Sequence, residues 1–286
     1  MDEDELLMSK ELPFLSLVIE TETIGNAARD RAAGDFVRLA DGYTHYELSG
    51  PVDAQVVVLV HGFSAPYFIW GPTFKSLTRA GFRVLRYDLY GRGLSDRPRL
   101  RYNIELFRRQ LLQLLDALNL SQPLALVAFS MGAPIALSFM DKYPKRVPKL
   151  VLIAPAGARS INFFRLLKTH VSSSANTARY IKEYLEPYRV QMRYRGFKRA
   201  LVSTISNGML GDFSDLYRRV GEQKRPVQLL WGCQDSTITF EDIQIIQESM
   251  PDMEFHPFAD GGHLTHFDKT EAVNPILKNF LNNGLE

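Results

Sequence analysis

The chain contains a single cysteine, Cys233, so no disulfide can form within it, and the stapled framework of a small secreted domain is excluded. Long apolar runs are also lacking near the start. Leu12 to Ile19 is the longest there, too short to span a bilayer and broken by Pro13 and Ser16. Neither sign of charge dominates: 34 Lys and Arg stand against 32 Asp and Glu, a net of +2, which gives no reason to expect a nucleic-acid partner. The opening Met-Asp-Glu-Asp-Glu is the reverse of the positive region of a secretory signal. The expectation is a soluble, cytoplasmic protein. The Leu12–Ile19 run then packs on its own domain or makes a peripheral contact with a membrane or subunit, and oligomeric state is not legible.

What is present is a 286-residue chain, 45% hydrophobic, enough for one large α/β domain with an insertion. Residues 1–34 read as an appended, partly helical arm; with Asp35 at its border it carries nine acidic residues against Lys10, Arg29 and Arg31. From Phe36 the pattern becomes strand-like. Phe36–Ala40 and Tyr43–Leu48 flank Asp41-Gly42, the signature of a hairpin. Val56–Val60 is a continuous apolar run, β-branched apart from Leu59, expected to be buried on both faces of a parallel sheet. Strands follow at Phe82–Tyr87, Leu124–Phe129 and Leu150–Ile153, with a helix predicted from about Asn103 to Leu118. After a break come a strand at Val227–Trp231, a helix at about Phe240–Met250, a short strand at Met253–His256 and a closing helix from about Thr270 to Leu281. Strand–helix alternation of this kind predicts a mostly parallel, doubly wound, eight-stranded sheet. Its core is residues 35–156 and 226–286, with ligands beyond the carboxyl ends of the strands.

Residues 157–225 interrupt that alternation. They are helix-like, rich in aromatics, and carry fourteen Lys and Arg against five Asp and Glu. An insertion between a strand and the rest of its sheet reads as a helical lid. Most of its aromatics are expected to bury its own underside and most of its charges to face water. The remainder, with Phe163 and Phe164, suggests an apolar acyl pocket under a basic rim.

Chemistry enters at Ala128-Phe129-Ser130-Met131-Gly132, where an apolar strand stops at a serine and a helix of small residues begins. A serine on such a sharp turn exposes its hydroxyl, and the turn demands small neighbours. The competing reading is a serine that only caps the helix. A serine hydroxyl needs a base, and the base needs an orienting acid. Of six histidines, His45 lies in the hairpin, His170 in the insertion, and His61 before a glycine turn whose amides look more useful than its ring. His263, after Gly261-Gly262 in a late loop, is free to reach across the sheet. Asp235, four residues beyond Trp231, is the acid of choice, because the loop after Ile153 offers no carboxylate and Asp260 sits too close to His263. The amides of Met131 and Phe63 are the expected oxyanion donors, and Ser64 could add its hydroxyl or serve as a cap.

These motifs together resemble the α/β-hydrolase fold superfamily over about residues 36–284: His61-Gly62-Phe63-Ser64, Asp88-Leu89-Tyr90-Gly91-Arg92-Gly93-Leu94-Ser95, the Ser130 turn, Trp231-Gly232-Cys233-Gln234-Asp235, and Gly262-His263 through His266 to Asp268. The resemblance implies Ser130 as nucleophile, His263 as base, Asp235 as acid, and Phe63 and Met131 as the oxyanion hole. It also implies loop-holding roles for Asp88, Arg92, Gly93 and Asp268 and a structural His266. Ala128 stands where the family usually has glycine. A serine argues against the epoxide hydrolases and haloalkane dehalogenases, which use aspartate. The expected activity is hydrolysis of carboxylic esters through an acyl-enzyme, without metal or cofactor, on a small-molecule ester with an apolar acyl group bounded by Ser64, Phe129, Phe163, Phe164 and Leu264. Hydrolysis of carbon–carbon bonds in ring-cleavage products, and a non-catalytic receptor on the same scaffold, are the alternatives.

Overall fold

A computed structural model describes residues 18–161 and 181–283. Eight strands form one sheet: β1 Asp35–Leu39, β2 Gly42–Ser49, β3 Val56–Val60, β4 Arg83–Tyr87, β5 Leu124–Phe129, β6 Lys149–Ile153, β7 Val227–Gly232 and β8 Glu254–Phe258. Their order across the sheet is β1-β2-β4-β3-β5-β6-β7-β8. The β1–β2 and β2–β4 pairs are antiparallel, and every later pair is parallel. The hairpin turn sits one residue earlier than Asp41-Gly42 suggested. Leu39 pairs with Gly42, so Ala40 and Asp41 make the turn and Gly42 opens β2.

Among the described residues, besides a single helical turn at Asn26–Arg29 in the arm, the α-helices are α1 Gly71–Arg79, α2 Ile104–Ala117, α3 Gly132–Lys142, α4 Glu186–Met192, α5 Phe197–Ser206, α6 Ser214–Gly221, α7 Phe240–Ser249, the short α8 Thr265–Asp268 and α9 Thr270–Asn282. Helix α2 starts where Asn103 can cap it, its side chain accepting from the Leu106 amide at 3.0 Å. The central strands are fully buried, and period-two geometry sends alternate residues to opposite faces. Val56, Val58, Val60, Leu126 and Leu152 join Leu111, Leu114 and Ile135 of α2 and α3 on one side. Val57, Leu59, Val127 and Val151 join Leu77 of α1 and Leu277 of α9 on the other. Burying each of these aliphatic side chains contributes roughly 1.5–3 kcal/mol, so two apolar layers grip the sheet and hold the carboxyl ends of β3, β5, β6, β7 and β8 in register.

Helices α4, α5 and α6 lie between β6 and β7, within the predicted insertion. They are tied down: Tyr217 of α6 donates to the Ala156 carbonyl at 2.6 Å, and the Phe213 amide to Gly157 at 2.7 Å. The acidic arm also has a docking place. The Glu20 carboxylate accepts from the Gly196 and Lys198 amides at 2.8 and 2.6 Å, satisfying orphan donors at the start of α5. Glu22 bridges Arg193 and Arg195 through backbone bonds of 2.9 and 2.8 Å, and Val18 is buried. Among the described residues, no helix is long and apolar enough to cross a membrane. Most of the Leu12–Ile19 run lies outside the described residues; its last residue, Ile19, is exposed.

Candidate active site

Ser130 follows β5 with φ +51°, a left-handed conformation that a non-glycine residue adopts only under constraint. Its own backbone supplies that constraint. The Ser130 amide donates to Ile153 at 3.0 Å, and its carbonyl accepts from Ala133 and Ala156 at 2.9 and 3.1 Å. The close approach that such a turn creates falls on glycines: a methyl group on Gly132 would sit 2.5 Å from the Val60 carbonyl oxygen, and one on Gly62 would sit 3.1 Å from the Ser130 Cβ. Ala128 is spared. It pairs with Val60 and Leu152 in the sheet and its methyl packs in the apolar layer, so the residue two before Ser130 need not be glycine here.

His263 lies across the sheet from the end of β5 and completes a hydrogen-bonded line. Its Nδ1 is 2.7 Å from Asp235 Oδ2, and its Nε2 is 3.1 Å from Ser130 Oγ. Asp235 is a pure acceptor when ionised, so Nδ1 carries the proton and Nε2 is left to accept from the serine hydroxyl. The other carboxylate oxygen accepts from the Thr237 and Ile238 amides at 2.8 and 3.0 Å, and the side chain is fully buried. The loop that carries Asp235 is held by Trp231, whose indole N–H donates to Ile238 at 2.9 Å, and by the Gln234 amide on Gly261 at 2.8 Å. A methyl on Gly232 would meet the Gly261 backbone at 2.4 Å, so these two loops pack main chain against main chain.

The loop after β3 presents the Phe63 amide. His61 is fully buried and burial lowers its pKa to about 4, keeping it neutral. Its Nε2 accepts from the Leu89 amide at 2.9 Å, so Nδ1 is the donor, and it bonds the Gly62 carbonyl at 2.9 Å. In a planar trans peptide the Phe63 N–H points opposite to that carbonyl. Among the described residues neither the Phe63 nor the Met131 N–H has a hydrogen-bond partner. Met131 immediately precedes α3, where the helix dipole favours negative charge. The His61 ring, set aside in the sequence in favour of the amides that follow it, bonds the Gly62 carbonyl next to the Phe63 amide.

The remaining expected residues divide. Phe129 is buried with its ring 4.9 Å from His263 and 4.4 Å from His266, beneath the histidine loop. His266 is fully buried against Trp70, and burial, with a smaller push from His263, lowers its pKa to about 3. Leu264 is buried beside Phe129 in the same apolar layer. Ser64 is buried, and its hydroxyl hydrogen-bonds the Tyr188 phenol. Phe163 and Phe164 lie outside the described residues. Asp88 and Gly93 do hold their loop: the carboxylate accepts from the Tyr67 and Leu94 amides at 2.8 and 2.9 Å, and a methyl on Gly93 would collide with it. Several insertion cations are engaged within the protein: Arg159 with Asp242, Arg218 with Asp215 and Glu222, Arg219 with Asp141, and Arg199 with the Arg97 and Pro98 carbonyls. Among the described residues, no cluster of three or more His, Cys, Asp or Glu side chains is placed to hold a metal ion.

A serine on a strained strand-to-helix turn, faced by an acid-backed histidine from a later strand end, defines an α/β-hydrolase architecture. The family model for the alpha/beta hydrolase fold matches residues 55–270, and the chain belongs to that family. It is 25% identical over 267 residues to the 2-hydroxy-6-oxo-6-phenylhexa-2,4-dienoate hydrolase of Comamonas testosteroni, covering 85% of this chain and 92% of that protein. Its fold is that of a meta-cleavage product hydrolase from Pseudomonas fluorescens IP01, at TM-score 0.73 and 21% identity over 87% of this chain and 97% of the other. The enol-lactonase of Burkholderia xenovorans LB400 is similar at TM-score 0.71 and 20% identity, over 87% of this chain and all (100%) of that one. Family and relatives alike support a hydrolase.

Proposed function

We propose that the protein is a serine hydrolase that cleaves carboxylic esters of small molecules through an acyl-enzyme at Ser130. The observation that carries this reading is the hydrogen-bonded line Asp235–His263–Ser130 ending at a serine with φ +51°. Ser130 Oγ attacks the ester carbonyl carbon while its proton passes to His263 Nε2. The imidazolium so formed is stabilised by the buried Asp235 carboxylate. Negative charge develops on the carbonyl oxygen, which the Phe63 and Met131 amides bind; each such donor is worth roughly 3–4 kcal/mol. His263 then protonates the departing alcohol. Water enters, His263 takes its proton, and hydroxide releases the carboxylic acid and restores the Ser130 hydroxyl. The described helices of the insertion, α4, α5 and α6, are read as part of a cap on this centre, a reading supported by the bond from Gln191 of α4 to the Ser64 carbonyl.

A second reading keeps the same three side chains and changes the bond. Hydrolysis of a carbon–carbon bond in a vinylogous diketone is favoured by the Comamonas and Pseudomonas relatives, whose names carry that activity.

The test is a fluorophosphonate label compared between the native chain and Ser130→Ala, with nitrophenyl esters of increasing acyl length and 2-hydroxy-6-oxo-6-phenylhexa-2,4-dienoate assayed side by side. Ser130→Ala is expected to abolish labelling and to lower kcat by about 10⁶-fold, the scale on which a lost serine nucleophile is felt. Dienoate cleavage far above ester turnover would install the second reading. Label that survives the substitution, or native protein that binds ligands without turning any over, would remove the serine assignment.

A further inference from the structure

Helix α4 buries one residue, and that residue is polar: Gln191 is 1% exposed while its neighbour Val190 is 43% exposed. A buried amide costs free energy unless both its ends find partners. Both do, and neither partner is in α4. The Gln191 side-chain nitrogen donates to the Ser64 carbonyl at 2.7 Å, and its oxygen accepts from the Gly93 amide at 2.9 Å. Gln191 therefore clamps the loop after β3 to the loop after β4, from a helix that belongs to neither.

The loop after β3 is held in an unusual way. Three successive carbonyls are each taken by a buried side chain: Gly62 by His61 at 2.9 Å, Phe63 by Arg92 Nε at 2.7 Å, and Ser64 by Gln191. Arg92 is itself fully buried, with no ion-pair partner among the described residues, and its second branch donates to Thr204 of α5 at 2.8 Å. The one group of this stretch that oxyanion binding needs, the Phe63 N–H, has no partner among the described residues and lies between carbonyls that are each held by a side chain. Two of the three clamps reach into residues 157–225. His61 fixes the plane of the Gly62–Phe63 peptide, whereas Gln191 fixes where the loop sits along the approach from Ser64.

We infer that Gln191 is a positioning residue for the oxyanion donor, carrying the seating of helix α4 on the core to the Phe63 amide through the Ser64 carbonyl. The inference rests on the proposed acyl-transfer reading of Ser130. Its consequence is that the insertion does more than cover the centre. When α4 is seated, the donor is in place; when α4 is displaced, the Ser64 carbonyl loses its only side-chain anchor among the described residues, and the amide drifts from the position that the oxyanion occupies.

The test uses the full chain with Gln191→Met, which removes both bonds at similar volume, and Gln191→Glu, which keeps an acceptor for the Gly93 amide and loses the donor to Ser64. Active sites are titrated with a fluorophosphonate, and kcat per titrated site, KM and the Ki of an alkyl trifluoromethyl ketone are measured with a nitrophenyl ester. Misplacement on the ångström scale costs up to about 100-fold. Both variants are expected to lose about 10- to 100-fold in kcat per site with KM within about twofold, and the ketone, which mimics the tetrahedral oxyanion, should weaken in step with kcat/KM. Native kcat per site in Gln191→Met, with only the titratable fraction or Tm reduced, would show a purely structural side chain and overturn the inference. Full recovery in Gln191→Glu would do the same by assigning the effect to the Gly93 loop. Native protein that neither turns over ester nor binds the ketone would bring down the function proposed above, and the inference with it, a result distinguishable because it needs no variant.

Discussion

His45 and His263 each hold an aspartate oxygen at 2.7 Å from Nδ1, but the opposite ring nitrogens face different groups. His263 Nε2 faces the Ser130 hydroxyl at 3.1 Å, which can give up a proton. His45 Nε2 faces the Ala33 carbonyl at 2.7 Å, which can only accept. Because Asp88 and Ala33 are both acceptors, His45 must donate from both nitrogens and is an imidazolium. Burial works against that charge, and the hydrogen bond and charge of Asp88, with the Ala33 bond, outweigh it, so its pKa is raised. Asp88 shows the mirror image: burial pushes its carboxyl up, and the hydrogen bond and charge of His45, with the Tyr67 amide, more than compensate, leaving it lowered. One histidine–aspartate pair is a fixed ion pair that joins the arm, the hairpin and the β4 loop; the other has a proton to move. The aspartate bond does not separate them. The third group does.

The sharpest way to break this comparison is to remove the carboxylate charge from each pair. Asp235→Asn is expected to lower kcat by about 10⁴-fold, because the imidazole loses its tautomer and its counter-charge, while thermal unfolding stays close to native. Asp88→Asn should do the reverse. Stripping one partner from a buried pair costs about 3–5 kcal/mol, read as a drop in the urea midpoint, with kcat per titrated site largely kept. If Asp88→Asn abolished turnover in folded protein, the two pairs would not be functionally distinct.

A gentler test varies pH. His45 has a raised folded pKa, so its contribution to stability is complete below the unfolded value of about 6.5 and is lost as pH rises through the folded one. Asp88 has a lowered folded pKa, so its contribution is present above the unfolded value of about 3.9 and fades as pH falls through the folded one. The stability difference between native and Asp88→Asn protein should therefore be greatest between those limits and shrink on either side. A flat difference across that range would deny the ion pair. The smallest expected effect lies beside the serine. Ala128→Gly should cost about 0.5–1 kcal/mol of stability through strand backbone entropy and change kcat by less than about twofold, since the Ser130 turn is held by its own hydrogen bonds and its close approach is accommodated at Gly132 and Gly62. A large gain in activity would mean that the methyl of Ala128 distorts the turn.

The strand ends were readable because they depend on local pattern. The apolar run Val56–Val60 and the turns after it, after Phe129 and after Trp231 show where the sheet stops, and any group placed at those stops faces one edge. Other features were hidden in the same residues. Nothing local to Glu20 and Glu22 names the amides and backbone that they bind some 170 residues later. In the sequence Gln191 is one polar residue in a basic stretch, and nothing beside it marks it out. Its burial depends on where α4 lands, a long-range matter that local periodicity does not encode.

Composition, period and turn chemistry by themselves determined the class of fold, the order of its strands' loops, and a serine, an acid and a histidine on three strand ends, because these follow from interactions between near neighbours in the chain. Which histidine faces a hydroxyl and which a carbonyl, which carbonyls are clamped and which amide is left free were decided only when distant segments met. Hydrogen-bond partnership requires atoms within about 3 Å, and only the packed sheet and its helices bring Asp235 to His263, and His263 to Ser130, that close.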